Sequence, residues 1–457
     1  MGQPDLVVAS NRGPLSFGME AGHPVLAGSA GGLAATLHPL LNGSGATWVF
    51  CAMSDADRLA EADGMFSAEG LSLSVVQPQE ATYQMAYDVV SNSTLWFLHH
   101  HLFDISHRPA FDWRWRMAWD AYRAYNTLFA DAIAKCATDA AVVLLQDYHL
   151  ALVPGMLRVT RPDLRSVHFT HTPYADPSAM RILPDFAAQE LLEGMAGATA
   201  CGFHTDRWRQ AFLACCADYG ITTGASFVSP LSPDAALLAD RITENGCITA
   251  GVALDAMLGD RRLVLRVDRM EPTKNLLRGF RAFDELLQDH PEWRGTVVFL
   301  AHAYSSRQSL PEYLAYAAEV EHAAKHVNDK WATDDWTPVV LEVADKPDQS
   351  LAALTRYDVL LVNPLRDGLN LVAKEGPLVN CRDGVLALSR EAGAYVELAE
   401  AAIEINPYDI TGTAGALHLA LSMSSTERSR HADQLRSIVE MRQPEDWLAE
   451  QIAAAGV

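Results

Sequence analysis

The sequence predicts an α/β protein built on two open, doubly wound parallel sheets. Three observations lead there. Short β-branched and leucine-rich runs alternate with longer amphipathic segments along almost the whole chain. Most of those runs end in polar residues, as buried parallel strands do where their carboxyl ends meet a ligand. The chain has 457 residues, more than one hydrophobic core usually serves.

In the first half the strands are "DLVVASNRG" (5–13), "TDAAVVLLQDYH" (138–149), "RSVHFTHTPY" (165–174) and "GATACGFHT" (197–205). Between them, residues 113–137 carry a long helical period. In the second half the strands are "RRLVLRVDR" (261–269), "GTVVFLAHAY" (295–304), "TPVVLEVA" (337–344), "YDVLLVNP" (357–364), "GVLALSRE" (384–391) and "AAIEINPYD" (401–409). The helix after the first of these places Leu276, Phe280, Phe283 and Leu287 on one face. Such alternation gives two Rossmann-like domains, expected at 1–236 and 237–440, with a helix at 441–457. The segment 232–258 reads as the least ordered connection.

A net charge of −22 argues against nucleic acid or an anionic membrane surface as the main partner. No apolar run reaches the ~20 residues that span a bilayer. The N-terminus carries no basic stretch before an apolar run, so no secretion signal is expected. Seven cysteines without a C-x-x-C pair suggest reduced thiols in a cytoplasmic protein. The histidines of "HHHLFDISH" (99–107) lack a cysteine or carboxylate cluster to complete a metal site, so packing or a polar wall is their expected role.

Candidate chemistry gathers at strand ends. In "NPLRDGLNLVAKEG" (363–376), Asp367, Asn370 and Glu375 lie on or after a strand-to-helix turn, where free N–H groups and the helix dipole favour anions. A polyhydroxylated, phosphorylated ligand would use all of these; alternatively Asp367 caps the helix and Glu375 is solvated. "RVDRMEPTKN" (266–275) puts Arg269 at a strand end and Lys274 before a helix, a pair suited to a diphosphate. They are equally suited to pairing with Asp268 and Glu271. Paired glycines in "SAGGLAATL" (29–37) permit close backbone approach to phosphate or simply a tight turn. Asp147, His171 and Arg12 also end strands. The one D-x-D, at 55–57, is not expected to follow a hydrophobic strand, and no Walker, nucleophile-elbow, H-E-x-x-H or dinucleotide motif occurs. No cofactor or metal is expected.

Together "ASNRGP", "SAGGL", "DYHL", "HTPY", "GFHT", "VDRMEPTKN", "SSRQ", "WTP", "NPLRDGLNLVAKE" and "NPYD" resemble, in order and from end to end, the retaining trehalose-6-phosphate synthases. These are family 20 glycosyltransferases with two Rossmann-like domains facing across a cleft (GT-B). The resemblance implies transfer of glucose from a nucleoside-diphosphate-glucose to glucose 6-phosphate. It assigns Arg269 and Lys274 to the donor diphosphate, with Gly31, Gly32 and the amides of Leu371 and Val372. Asp367 would hold hydroxyls of the transferred glucose, Asn370 would join the donor site, and Glu375 would bridge the nucleotide ribose. His171 would sit near the sugar 6-hydroxyl and Asp147 between donor and acceptor. Arg12, Tyr87 and Arg307 would hold the acceptor phosphate, and Trp96 would line its pocket. The final helix would cross back to the first domain, and a homo-oligomer is compatible with the family.

Three departures stand out. Cys51 lies near the place of a second tryptophan found in many members, and "KN" replaces "KG" after Lys274. Both features are similar to the validoxylamine-phosphate synthase branch, which couples a nucleotide-cyclitol to an amine. Asp345 stands where uridine-donor members have an aromatic residue; a carboxylate accepts from guanine N1–H and its 2-amino group, which favours GDP-glucose over UDP-glucose. The alternatives are that amine-coupling transferase and a catalytically silent sugar-nucleotide sensor.

Overall fold

The computed structural model describes residues 5–29, 33–307 and 309–456. The chain divides into two units, Met1–Leu231 with Pro444–Val457, and Ser232–Gln443. The limits drawn from the sequence at 236/237 and 440/441 sit a few residues away from these. The first crossing precedes the helix Ala235–Arg241, capped by Asp234, and the second precedes the helix Pro444–Ala454.

In the first unit the strands are β1 (Leu6–Ser10), β2 (Leu15–Glu20), β3 (His23–Ser29), β4 (Thr47–Cys51), β5 (Ser72–Val76), β6 (Val142–Gln146), β7 (Arg165–Thr170), β8 (Ala200–Phe203) and β9 (Ala225–Val228). Seven of them form a parallel sheet in the order β5-β4-β1-β6-β7-β8-β9, while β2 and β3 make a separate hairpin. The strand order reverses direction at β1 and β6, so their carboxyl ends flank the switch point where this topology binds ligands.

The helix Trp113–Cys136 covers one face of that sheet. Its buried stripe runs Trp115, Trp119, Tyr122, Asn126, Phe129 and Ile133, a 3.6-residue period, and the Asp112 side chain caps its start. Each large apolar member contributes about 1.5–3 kcal/mol by leaving water. Asn126 is tolerated there because it bonds the carbonyls of Tyr122 and His149 and accepts from the Leu152 N–H.

The second unit holds β10 (Arg262–Arg269), β11 (Val297–Tyr304), β12 (Val339–Val343), β13 (Val359–Val362), β14 (Val385–Ser389) and β15 (Ile403–Ile405). They form a parallel sheet ordered β12-β11-β10-β13-β14-β15, with its switch point between β10 and β13. The helix Leu276–Asp289 buries Leu276, Phe280, Phe283 and Leu287, the face expected from its period.

Two expectations need correction. Residues 232–258 are not a loose connection but two helices, Ala235–Arg241 and Asn245–Leu258; the first buries no side chain, and the second buries Cys247, Gly251, Leu254 and Leu258 on one face. The D-x-D at 55–57 does follow a hydrophobic strand, since β4 ends at Cys51. Its acids nonetheless serve the helix Asp55–Ala62: buried Asp57 accepts from the N–H groups of Phe17, Met53 and Ser54 and completes a capping box. Among the described residues no helix is long and apolar enough to cross a membrane.

Candidate active site

Two sets of polar residues lie at the two switch points, one in each unit. In the second unit Arg269 is the last residue of β10, and the loop after β13 carries Asp367 and Asn370. The Leu365 N–H donates to the Thr273 carbonyl at 2.8 Å, tying that loop to the one after β10. Lys274 Nζ donates to Asp367 Oδ2 at 2.6 Å, and the Asn370 amide donates to the same oxygen at 3.1 Å. Burial opposes charge on Lys274, but Asp367 and Asp268 outweigh it and hold the ammonium above its usual range.

Arg269 is placed by Glu271, which is fully buried. One oxygen of Glu271 receives Arg307 Nη1 at 2.8 Å and the Ser306 hydroxyl at 2.8 Å, with Arg269 Nη1 at 3.2 Å. Burial opposes its ionisation, yet Arg269 and Arg307, then Lys274, hold the carboxyl below its usual value. Arg307 also donates to the Tyr313 hydroxyl at 2.9 Å. So Arg307, expected with the acceptor phosphate, lies in the same unit as Arg269 and shares its counter-charge. Asp268 is otherwise engaged, 2.7 Å from buried Arg266.

Leu371 and Val372 open the helix Val372–Val379, whose first turn presents N–H groups. Asn370 caps it by accepting from the Ala373 N–H at 3.2 Å. Asn370 does this at φ 79°, a left-handed conformation that is costly for non-glycine residues and common at binding sites. Gly393 is required alongside: a Cβ there would meet the Gly368 carbonyl oxygen at 2.0 Å. Burial pushes the Glu375 carboxyl up, with Arg241 opposing. Asp345 is exposed in the turn after β12. Asn275, the "N" of "KN", adopts φ 61° and spends its amide on the carbonyls of Asn363 and Pro407. It therefore occupies the conformation glycine would supply.

In the first unit Arg12 is exposed just past β1, and its carbonyl accepts from the Ser10 hydroxyl at 2.7 Å. Ser10 in turn accepts from the indole of buried Trp48 at 2.8 Å. Tyr87 belongs to the π-helical stretch Met85–Leu95, stacked on Tyr83 and near His149. Trp96 begins the next turn and stacks on His100 with centroids 3.9 Å apart. Cys51 is buried at the end of β4, and burial pushes its thiol up to about 12. Gly31 and Gly32 lie outside the described residues.

Asp147 follows β6 at φ 72°, and its carboxylate accepts the His171 N–H at 3.2 Å. His171 follows β7 with both ring nitrogens engaged, Nε2 with Gln146 at 2.9 Å and Nδ1 with His204 at 3.1 Å. A nitrogen contact from His171 to a sugar hydroxyl would replace one of these bonds. Sequence reasoning overlooked Gln146 and His204; Glu271 it named only as an ordinary counter-charge, which it is for Arg269. The signal for His204 was present, since "HT" follows β8 in "GFHT" as it follows β7 in "FTHT".

His99 accepts from the Ala175 N–H, and His100 bonds the Trp96 carbonyl, so both serve packing. Among the described residues His290, Glu292 and His418 bring ligand atoms within 4.8 Å of one another. The His418 Nδ1 lone pair is taken by the Trp293 indole at 3.1 Å, which leaves its other nitrogen protonated and unable to bind a cation.

The model of glycosyltransferase family 20 matches residues 4–455. The chain is 32% identical to the trehalose-6-phosphate synthase of Mycolicibacterium smegmatis, over 98% of this chain and 91% of that protein. It is also 32% identical to the bifunctional trehalose-6-phosphate synthase/phosphatase of Thermoproteus tenax, over 97% of this chain, but spans only 62% of that protein. Among solved structures, that of trehalose-6-phosphate from E. coli bound with UDP-2-fluoro glucose superposes with a TM-score of 0.86 at 27% identity, covering 99% of this chain and 98% of the other. An α,α-trehalose-phosphate synthase (UDP-forming) from Burkholderia xenovorans in complex with glucose-6-phosphate gives 0.87 at 25% identity, covering 99% and 100%. With two Rossmann-like parallel-sheet domains of the GT-B kind and a family match along its length, this chain belongs to glycosyltransferase family 20.

Proposed function

We propose that the protein moves glucose, with retention, from a nucleoside-diphosphate-glucose to glucose 6-phosphate, forming α,α-trehalose 6-phosphate. The observation that carries this reading is the pair of cations at the β10/β13 switch point, Arg269 set by Glu271 and Lys274 set by Asp367. A nucleoside diphosphate departs with its charge on phosphate oxygens, so two fixed cations stabilise the leaving group where a glycosidase needs a carboxylic acid. The C1–phosphate oxygen bond breaks as the acceptor oxygen bonds C1 on the same face. The acceptor 1-hydroxyl proton passes to the departing phosphate oxygen. Asp367, Asn370 and Glu375 bind the donor, and Arg12, Tyr87, Trp96 and Arg307 the acceptor. Nucleoside diphosphate release, followed with and without glucose 6-phosphate, tests this reading. Release that depends on glucose 6-phosphate is expected, and release driven only by an aminocyclitol phosphate overturns it.

The donor base we assign is guanine, on the strength of exposed Asp345, which has two oxygens to accept from the guanine edge. At equal concentrations GDP-glucose is expected to turn over faster than UDP-glucose. The ratio should fall by about tenfold in Asp345→Asn, the effect of one charge-assisted bond. A preference for UDP-glucose in the unaltered protein refutes the assignment.

A further inference from the structure

A directed chain of hydrogen bonds leads from the helix Pro444–Ala454 to the ring of His171, all within the first unit. It begins at the Trp447 carbonyl, which can only accept. Gln451 Nε2 donates to that carbonyl at 3.4 Å, so Gln451 turns its oxygen toward Gln146, whose Nε2 donates to it at 3.1 Å. Gln146 then has only its own oxygen left for His171 Nε2, 2.9 Å away, and that nitrogen must carry hydrogen. Burial, then the neighbouring His204 and His168, holds His171 well below its usual value, so the ring is neutral. Its Nδ1 is consequently a lone pair that accepts from His204 Nε2–H at 3.1 Å. Reversing any amide would set two acceptors or two donors against each other. Its glutamine links are sealed from water: Gln451 and Gln146 are 0% and 1% exposed, and Trp447 packs beside Phe169 and His171.

We propose that Gln451 is a positioning residue: through Gln146 it fixes the proton of His171 on Nε2 and the orientation of its ring. Docking of the helix Pro444–Ala454 thereby sets the protonation pattern at the carboxyl edge of the first sheet. Only the kinetic consequence rests on the proposed glucose transfer and on the place near the sugar 6-hydroxyl that the family resemblance implies for His171.

The test uses the full chain labelled with 15N-histidine, and reads tautomers from ring nitrogen shifts and two-bond couplings, with His171 assigned by its loss in His171→Asn. The unaltered protein should show His171 as the Nε2–H form. Gln451→Leu, and the length-matched Gln451→Met in case leucine impairs folding, should give a mixture of tautomers. Both should lower kcat about tenfold, the factor for one lost hydrogen bond, with KM for the nucleotide sugar unchanged. An Nδ1–H form in the unaltered protein, or an unchanged His171 signal in both variants, overturns the proposal. A changed tautomer with unchanged kcat supports the relay and removes His171 from the sugar site instead.

Discussion

Replacing Lys274 by Met, or Arg269 by Gln, is expected to lower kcat by about 10²–10³ each, the scale for losing one preorganised partner of developing charge. Lys274 is the more telling of the two. Its ammonium is mostly covered and held charged by Asp367, so it needs little reorganisation as the leaving phosphate gains charge. In the Met variant Asp367 keeps its bond from Asn370, so the loop after β13 retains its shape while the charge is gone. The loss should therefore fall on kcat more than on KM. Arg269→Lys should recover only part of the activity, because a point charge does not replace a planar fork that reaches Glu271 and a diphosphate together. Nucleoside diphosphate release under saturating glucose 6-phosphate is the measurement; an unchanged rate in both variants removes the basis of the mechanism.

Glu271→Ala is expected to destabilise the second unit by about 3–5 kcal/mol, because Arg307, 9% exposed, and Arg269 lose their shared counter-charge. That corresponds to a fall of about 10 °C in its thermal midpoint. The effect has a definite pH dependence. The folded carboxyl titrates below its usual value, so the stability that it adds is complete above about pH 4.3, the unfolded value, and is lost as pH falls through the folded value. The gap between unaltered protein and Glu271→Gln should narrow in acid, which thermal melts from pH 7 to pH 3 would record. A gap constant across that range contradicts an ionised Glu271.

What the sequence disclosed follows from local physics. Strands such as Val142–Gln146 and Val359–Val362 are continuous apolar runs, and polar residues at or after the carboxyl ends of strands marked Arg269, Asp367, Asp147 and His171. Strands β2 to β5 and β9 escaped notice. Of these, β5 and β9 lie at sheet edges, where half-exposed "SLSVV" and "ASFV" carry little apolar signal. Strands β2 and β3 form a separate hairpin, and β4 is buried but only five residues long. The partners of the site residues were harder to read. Glu271 looks like any surface carboxylate until the chain brings Arg307 and Ser306 back to it. Gln146 and Gln451 lie 305 positions apart, and nothing in either neighbourhood announces the bond between them.

The first unit is written in two separate stretches, with Ser232–Gln443 inserted between them. During synthesis the ribosome must therefore deliver the whole inserted unit before Trp447 reaches its place beside Phe169. Until then β6 and β7 expose an apolar and hydrogen-bonding face, a nascent-chain liability that a fragment truncated at Leu231 would carry permanently.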